Sequence, residues 1–162
     1  MDTIDFKTNS SKQTRLIAKS LAQEILQKKI KIKSALVLTL SGNLGGGKTT
    51  FVQGFMKGAG VKKKITSPTF VLIKSYETNK TYWSHRSIYH IDCYRFRKAK
   101  ELLDLGLKEI FKNPKNIVLI EWPEKIKKHL PKNHILIKFR HSKKENERII
   151  SIKYQASSIK RQ

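Results

Sequence analysis

The apolar positions of this 162-residue chain fall into two rhythms, and their order outlines a fold. Residues 35–40 (Ala35-Leu36-Val37-Leu38-Thr39-Leu40) make an apolar run of strand length. Phe51, Val52, Phe55, Met56 and Ala59 then recur at helical spacing. Upstream, Leu16, Ile17, Leu21, Ile25 and Leu26 form one apolar face of a helix ending near Lys29. Ser10-Ser11-Lys12-Gln13 supplies its capping box, with Ser10 as cap and Gln13 reaching back. Residues 2–7 suit a short edge strand. Downstream, Thr66-Ser67-Pro68-Thr69 punctuates the start of an extended stretch over 70–76. Thr78-Asn79-Lys80 reads as a turn, and Ile88-Tyr89-His90-Ile91-Asp92 as a further strand. A helical pattern over 99–111 breaks at Gly106 and stops at Asn113-Pro114. Ile117-Val118-Leu119-Ile120 is wholly apolar, as expected for a strand covered on both faces. Two alternating segments, 134–140 and 148–154, suggest an antiparallel hairpin across the turn-rich 142–146. With no repeat or long linker, the pattern predicts one α/β domain over 1–162, core about 10–155, with helices around a mixed sheet.

Composition narrows the setting. The hydrophobic share of 38% suits a globular chain with one core. No apolar run approaches membrane-spanning length, and Met1-Asp2-Thr3-Ile4-Asp5 lacks the basic-then-apolar start of a secretory signal. The expectation is a cytoplasmic protein with no membrane partner. Cys93 is the lone cysteine, which excludes an internal disulfide and a cysteine metal cluster. The net charge of +23 raises nucleic-acid binding, because Lys and Arg release counterions from phosphate backbones. Yet the chain carries 28 Lys against 7 Arg, spread along its whole length. Specific phosphate and base recognition leans on the planar fork of Arg, so the charge reads first as a solvated surface.

The chemistry begins at Gly42-Asn43-Leu44-Gly45-Gly46-Gly47-Lys48-Thr49, a full P-loop of pattern G-x-x-x-x-G-K-T. Backbone N–H groups must turn inward around a phosphate chain, and side chains at the tight points would block that approach. Lys48 would reach the β/γ-phosphates and the Thr49 hydroxyl would sit on Mg²⁺. The strand before the loop and the helix after it supply the context such a motif needs. That helix also turns its positive N-terminal end toward the phosphates. Hydrolysis further requires a carboxylate that orients the metal or the attacking water, at the C-terminal end of a buried strand. Two segments qualify: the apolar strand ending in Glu121, a Walker-B pattern, and the strand ending in Asp92. Trp122 is either core or pocket lining, with periodicity favouring core; His90 reads as packed or hydrogen-bonded, and Tyr94 and Arg95 as a surface pair. The Thr66–Thr69 segment is either a plain turn or a loop whose hydroxyls sense the γ-phosphate. Asn79-Lys80-Thr81-Tyr82 lacks the acid of a guanine-reading [N/T]-K-x-D segment, which leaves adenine.

Taken together, the P-loop through Thr50, Thr66-Ser67-Pro68-Thr69-Phe70, His90-Ile91-Asp92-Cys93-Tyr94-Arg95 and Glu121-Trp122-Pro123-Glu124 resemble one family. It is the bacterial ATPase component of tRNA threonylcarbamoyladenosine biosynthesis, and the resemblance spans roughly residues 10–150. It implies a weak ATPase that uses ATP and Mg²⁺. Its implied partners are the transferase that modifies adenosine-37 of tRNA and that enzyme's inactive paralogue, so contact with tRNA is indirect. By position, Lys48 takes the phosphates, Thr49 and Glu121 the Mg²⁺, and Asp92 a place near the attacking water. The resemblance also sets Thr14 near the adenine or ribose and Arg148 near the nucleotide. Three departures stand out: Asn43 where the family usually has Asp, Gly46 for a common Ala, and Cys93 for a usual Leu.

Two other functions compete. A small-molecule kinase on the same loop would usually carry a lid with several arginines, whereas Arg95-Phe96-Arg97 is the one close pair here. A basic tRNA-binding subunit with a nucleotide switch would bind tRNA tightly and with strong salt dependence.

Overall fold

The computed structural model describes residues 3–27, 32–68, 71–78, 87–98, 100–144 and 146–155. In chain order its strands are β1 (Thr3–Thr8), β2 (Leu36–Gly42), β3 (Ile73–Glu77), β4 (Ser87–Asp92), β5 (Ile117–Glu121), β6 (His134–His141) and β7 (Arg148–Gln155). They form one seven-stranded sheet in the order β1-β7-β6-β2-β5-β4-β3. The four strands from β6 to β4 are mutually parallel; β3 pairs antiparallel with β4 on one flank, and on the other β7 pairs antiparallel with both β6 and β1. The helices are α1 (Ser11–Gln27), α2 (Lys48–Gly58), α3 (Lys100–Asp104) and α4 (Leu107–Lys112), with a 3-10 helix over Pro123–His129.

Strand alternation divides the core. Leu36, Leu38 and Leu40 of β2, with Ile117 and Leu119 of β5, face α1 and α2, whose Leu21, Phe51 and Phe55 they meet. Val37, Val118 and Ile120 point the other way, toward Leu102 of α3, Leu107 of α4 and Ile126 of the 3-10 helix. Because β5 is buried at every position, its sequence needs no polar alternation. The sandwich of helices about a mixed sheet is as predicted.

α1 and α2 touch backbone to side. A Cβ on Gly54 would lie 2.4 Å from the Arg15 carbonyl oxygen, and one on Gly58 would lie 2.5 Å from that of Lys19. The two glycines, one turn apart, let the main chain of α1 lie directly on α2.

Local expectations hold with specific exceptions. Ser10 Oγ accepts the Gln13 N–H at 3.2 Å, as a capping box requires. Gln13 Oε1, however, accepts the N–H of Asn9 at 2.6 Å, one residue earlier than the box prescribes. Leu16 is 52% exposed and off the apolar face, which Thr14, Ala18 and Ala22 occupy instead. The extended stretch predicted over 70–76 starts later, at Ile73. Val71 and Leu72 turn back onto Pro68, whose carbonyl accepts both their N–H groups, and Leu72 has φ 65. The 3-10 helix has no periodic signature in the sequence, because Pro123 and Ile126 alone are buried along it. Thr69, Phe70, the Asn79-Lys80 turn, Ala99, the helix end near Lys29 and the first two residues lie outside the described residues.

Candidate functional site

β2 runs into the glycine loop at Gly42, and α2 begins at Lys48, so the loop spans the C-terminal end of a central parallel strand. Gly42 has φ 139, and a Cβ there would fall 2.4 Å from the Phe139 carbonyl oxygen of β6. Only glycine allows the loop to leave the sheet at that point. Asn43, Leu44 and Gly45 are exposed, Leu44 at 71%. The Gly46 N–H closes the turn on the Asn43 carbonyl at 3.1 Å. Asn43 therefore contributes its main chain, and the missing carboxylate removes nothing that these bonds use.

Lys48 is buried, and its Nζ donates to the carbonyls of Gly42 at 2.7 Å and Asn43 at 2.9 Å. The same nitrogen sits 3.9 Å from the centre of the Trp122 ring. Burial lowers the pKa of Lys48, against the opposing pull of Glu121, Glu124 and Asp92. Next along α2, Thr49 Oγ1 donates to Glu121 at 3.0 Å from Oε1 and 3.1 Å from Oε2. Glu121 ends β5, is 3% exposed, and has His90 Nε2 of β4 at 2.9 Å from Oε1. Asp92 ends β4 in register with Glu121. Ser67 Oγ donates to Asp92 Oδ2 at 2.9 Å, and the Tyr94 N–H donates to Oδ1 at 2.9 Å. Beneath this row, burial pushes the Cys93 thiol up to about 12.

These groups line a cavity of about 420 Å³ that holds residues 44–50, Ser67, Asp92, Tyr94, Arg95, Glu121 and Trp122. A second cavity, about 190 Å³, opens on the far side of the same loop. Thr14 and Arg148 meet there beside Gly45, Gly46, Gly47 and Thr50. Thr14 is buried, with its hydroxyl 3.2 Å from that of Thr8. The structure thus gathers Thr14, residues 42–50, Asp92, Glu121 and Arg148 around one loop, although they come from both ends and the middle of the chain.

Whether this place suits a magnesium-bound nucleotide is a question of charge and donors. A buried ammonium facing a glycine-lined hollow, bonded only to neutral carbonyls, suits an anion. Glu121, Asp92 and Glu124 would repel a bare phosphate, so the anion must bring its own cation. Among the described residues no group of three His, Cys, Asp or Glu could hold a metal alone. A hydroxyl and one carboxylate beside a phosphate site match the way Mg²⁺ is held, with substrate oxygens completing the set. The residues fit the group.

A family model described as "Threonylcarbamoyl adenosine biosynthesis protein TsaE" matches residues 8–150. The chain belongs to the TsaE family. A TsaE of Bacillus subtilis is 36% identical over 137 residues, covering 85% of this chain and 77% of that protein. One from Haemophilus influenzae is 37% identical over 109 residues, covering 67% of this chain and 65% of its own. Both carry the name tRNA threonylcarbamoyladenosine biosynthesis protein TsaE. The crystal structure of Bacillus subtilis YdiB superposes with a TM-score of 0.74 at 30% identity, covering 96% of this chain and 87% of that one. The fold and family read from the motifs are therefore those of TsaE proteins. Among the described residues no helix is long and apolar enough to cross a membrane.

Of the two roles open to Trp122, core and pocket lining, it fills both: half-buried, it packs on the second core, lies against Tyr94 with ring centres 5.1 Å apart, and covers Lys48 in the cavity. Its φ of 58 turns the chain sharply at the strand end, and its N–H donates to the Leu40 carbonyl at 3.2 Å. The available signal was its position between a strand-ending acid and Pro123, where the chain must leave the sheet over the crevice. Tyr94 and Arg95 are exposed, as expected of a surface pair, and they also border the larger cavity. His90 is fully buried and hydrogen-bonded, as anticipated.

Proposed function

We propose that this TsaE-family chain is a slow, Mg²⁺-dependent ATPase of the cytoplasm that serves threonylcarbamoyl modification of adenosine-37 in tRNA. It acts with the transferase and its inactive paralogue, meets tRNA through them, and leaves the transfer itself to its partners. The observation that carries the reading is the meeting of Thr49 and Glu121 at the mouth of a glycine loop whose lysine is buried.

In this reading Lys48 leaves the carbonyls of Gly42 and Asn43 and pairs with the β/γ-phosphates. The N–H groups of residues 45–49 and the start of α2 receive the remaining phosphate charge. Thr49 and Glu121 would hold Mg²⁺, which supplies charge neutralisation on the transferred phosphoryl group. Asp92, anchored by Ser67 and the Tyr94 N–H, orients the attacking water. Through Ser67, the 66–69 segment feels the state of that carboxylate. Thr14 and Arg148 hold the nucleoside end.

The test is phosphate release, together with capture of the two partner proteins from lysate in ATP, ADP or no nucleotide. Wild type should release phosphate to water and capture partners in a nucleotide-dependent way, and Lys48→Ala should do neither. Transfer of phosphate to a small acceptor would point to a kinase instead. Equal hydrolysis by wild type, Lys48→Ala and Glu121→Ala would defeat the mechanism.

A further inference from the structure

His90 is buried completely on β4, between Ile88 and Asp92 on one face and in register with Leu119 of β5. Its Nε2 is 2.9 Å from Glu121 Oε1, and its Nδ1 is buried with no hydrogen-bond partner. The first fact bears on the proton. An ionised carboxylate only accepts. The network therefore places an N–H on Nε2, directed at Glu121.

An aliphatic residue would fill this position without orphaning a nitrogen. The imidazole is useful only for its bond to Glu121. Thr49 alone does not fix that carboxylate, because its hydroxyl sits almost evenly between the two oxygens, 3.0 and 3.1 Å away. The His90 bond breaks the tie. Oε1 receives two donors and Oε2 one, so the carboxylate plane is set from the core side while its other edge stays with the cavity.

We propose that His90 is a positioning residue that holds the Glu121 carboxylate in the orientation needed to take a divalent cation, without itself touching cation or nucleotide. The proposal rests on reading the site as one for Mg²⁺ and ATP. Its signature is a split: losing His90 weakens the cation's hold on the site and leaves metal-free nucleotide affinity unchanged.

The experiment compares wild type, His90→Leu and His90→Gln, whose amide offers an N–H donor at the reach of Nε2. ATP affinity is measured by calorimetry in EDTA, and the Mg²⁺ midpoint by thermal stabilisation at saturating non-hydrolysable ATP. His90→Leu should raise the Mg²⁺ midpoint roughly 10- to 100-fold, the usual effect of removing a partner of a metal-binding carboxylate. Metal-free affinity should hold, and His90→Gln should recover most of the loss. An unchanged midpoint in His90→Leu, or a His90→Gln no better than His90→Leu, overturns the proposal. Wild type that fails to bind ATP with Mg²⁺ overturns the functional reading instead. In unaltered protein, nitrogen-15 spectra of the ring should show hydrogen on Nε2, and a ring with hydrogen on Nδ1 and none on Nε2 also overturns the proposal.

Discussion

On one side of the glycine loop the wall is made of strand ends: Glu121 and Asp92 stand in register on β5 and β4, nearly sealed from solvent. On the other side Thr14 comes from the first helix, Arg148 from the last strand, and the cavity is less than half as large. The acid wall inherits its geometry from the sheet. Main-chain hydrogen bonds between parallel strands fix where both carboxylates stand, and His90, Thr49 and Ser67 fix how they point. The opposite wall draws on two supports: Thr14 stands on α1, which packs on α2, and Arg148 begins β7, which the sheet holds between β1 and β6. Under the proposed function, chemistry that tolerates little displacement would use the first wall, and grip on a nucleoside the second.

Substitutions can separate the two walls. The largest effect should come from Lys48→Ala, which serves both: phosphate release should fall at least about 100-fold, because the main charge on the phosphates is gone. Gly54→Val should come next. It drives a side chain into the Arg15 carbonyl, pries α1 from α2, and should cost about 2–3 kcal/mol in urea unfolding. In that variant nucleotide affinity should fall while the Mg²⁺ requirement keeps its wild-type midpoint. Arg148→Ala should weaken nucleotide binding about tenfold by calorimetry, the loss of one charged hydrogen bond, again without moving the Mg²⁺ midpoint. Movement of that midpoint in either variant would mean that the walls are not independent.

A separate test asks how well the core behind the acid wall is sealed. Cys93 titrates at about 12 in the folded chain against an ordinary 9.0. Below pH 9 the thiol keeps its proton in both states. Between 9 and 12 the unfolded chain loses it and the folded chain does not, so this share of stability is complete below 9 and disappears toward 12. Denaturation series across that range should therefore slope downward less steeply in Cys93→Val than in wild type. Identical slopes would mean that water reaches Cys93 in the second core.

The contrast also governs what the residues alone disclose. Glu121 and Asp92 are legible because an apolar run ending in an acid is a local pattern, and local patterns survive without knowledge of the fold. The helices break where Gly106 and Pro114 dictate, for the same reason. Thr14 and Arg148 are set beside the nucleotide by likeness to a family alone, since more than a hundred residues of chain separate them and nothing local marks either one. Leu16 shows the converse failure, because an apolar residue at helical spacing can still face solvent when Ala18 and Ala22 take the contact with α2. Trp122 stays between two readings, because a tryptophan after a buried strand suits either core or pocket until the left-handed turn at its own backbone becomes visible.

Gly54 and Gly58 have a mechanical consequence. With main chain resting on main chain, α1 cannot roll across α2, and no long side chain intervenes to bend and absorb a push. Any tilt of α2 that follows the filling of the loop is handed straight to α1 and delivered at its N-terminal end, where Ser10 and Thr14 sit. Both helices start beside the smaller cavity, Thr14 on one and Thr50 on the other, so the pair bears on that rim as a single rigid body.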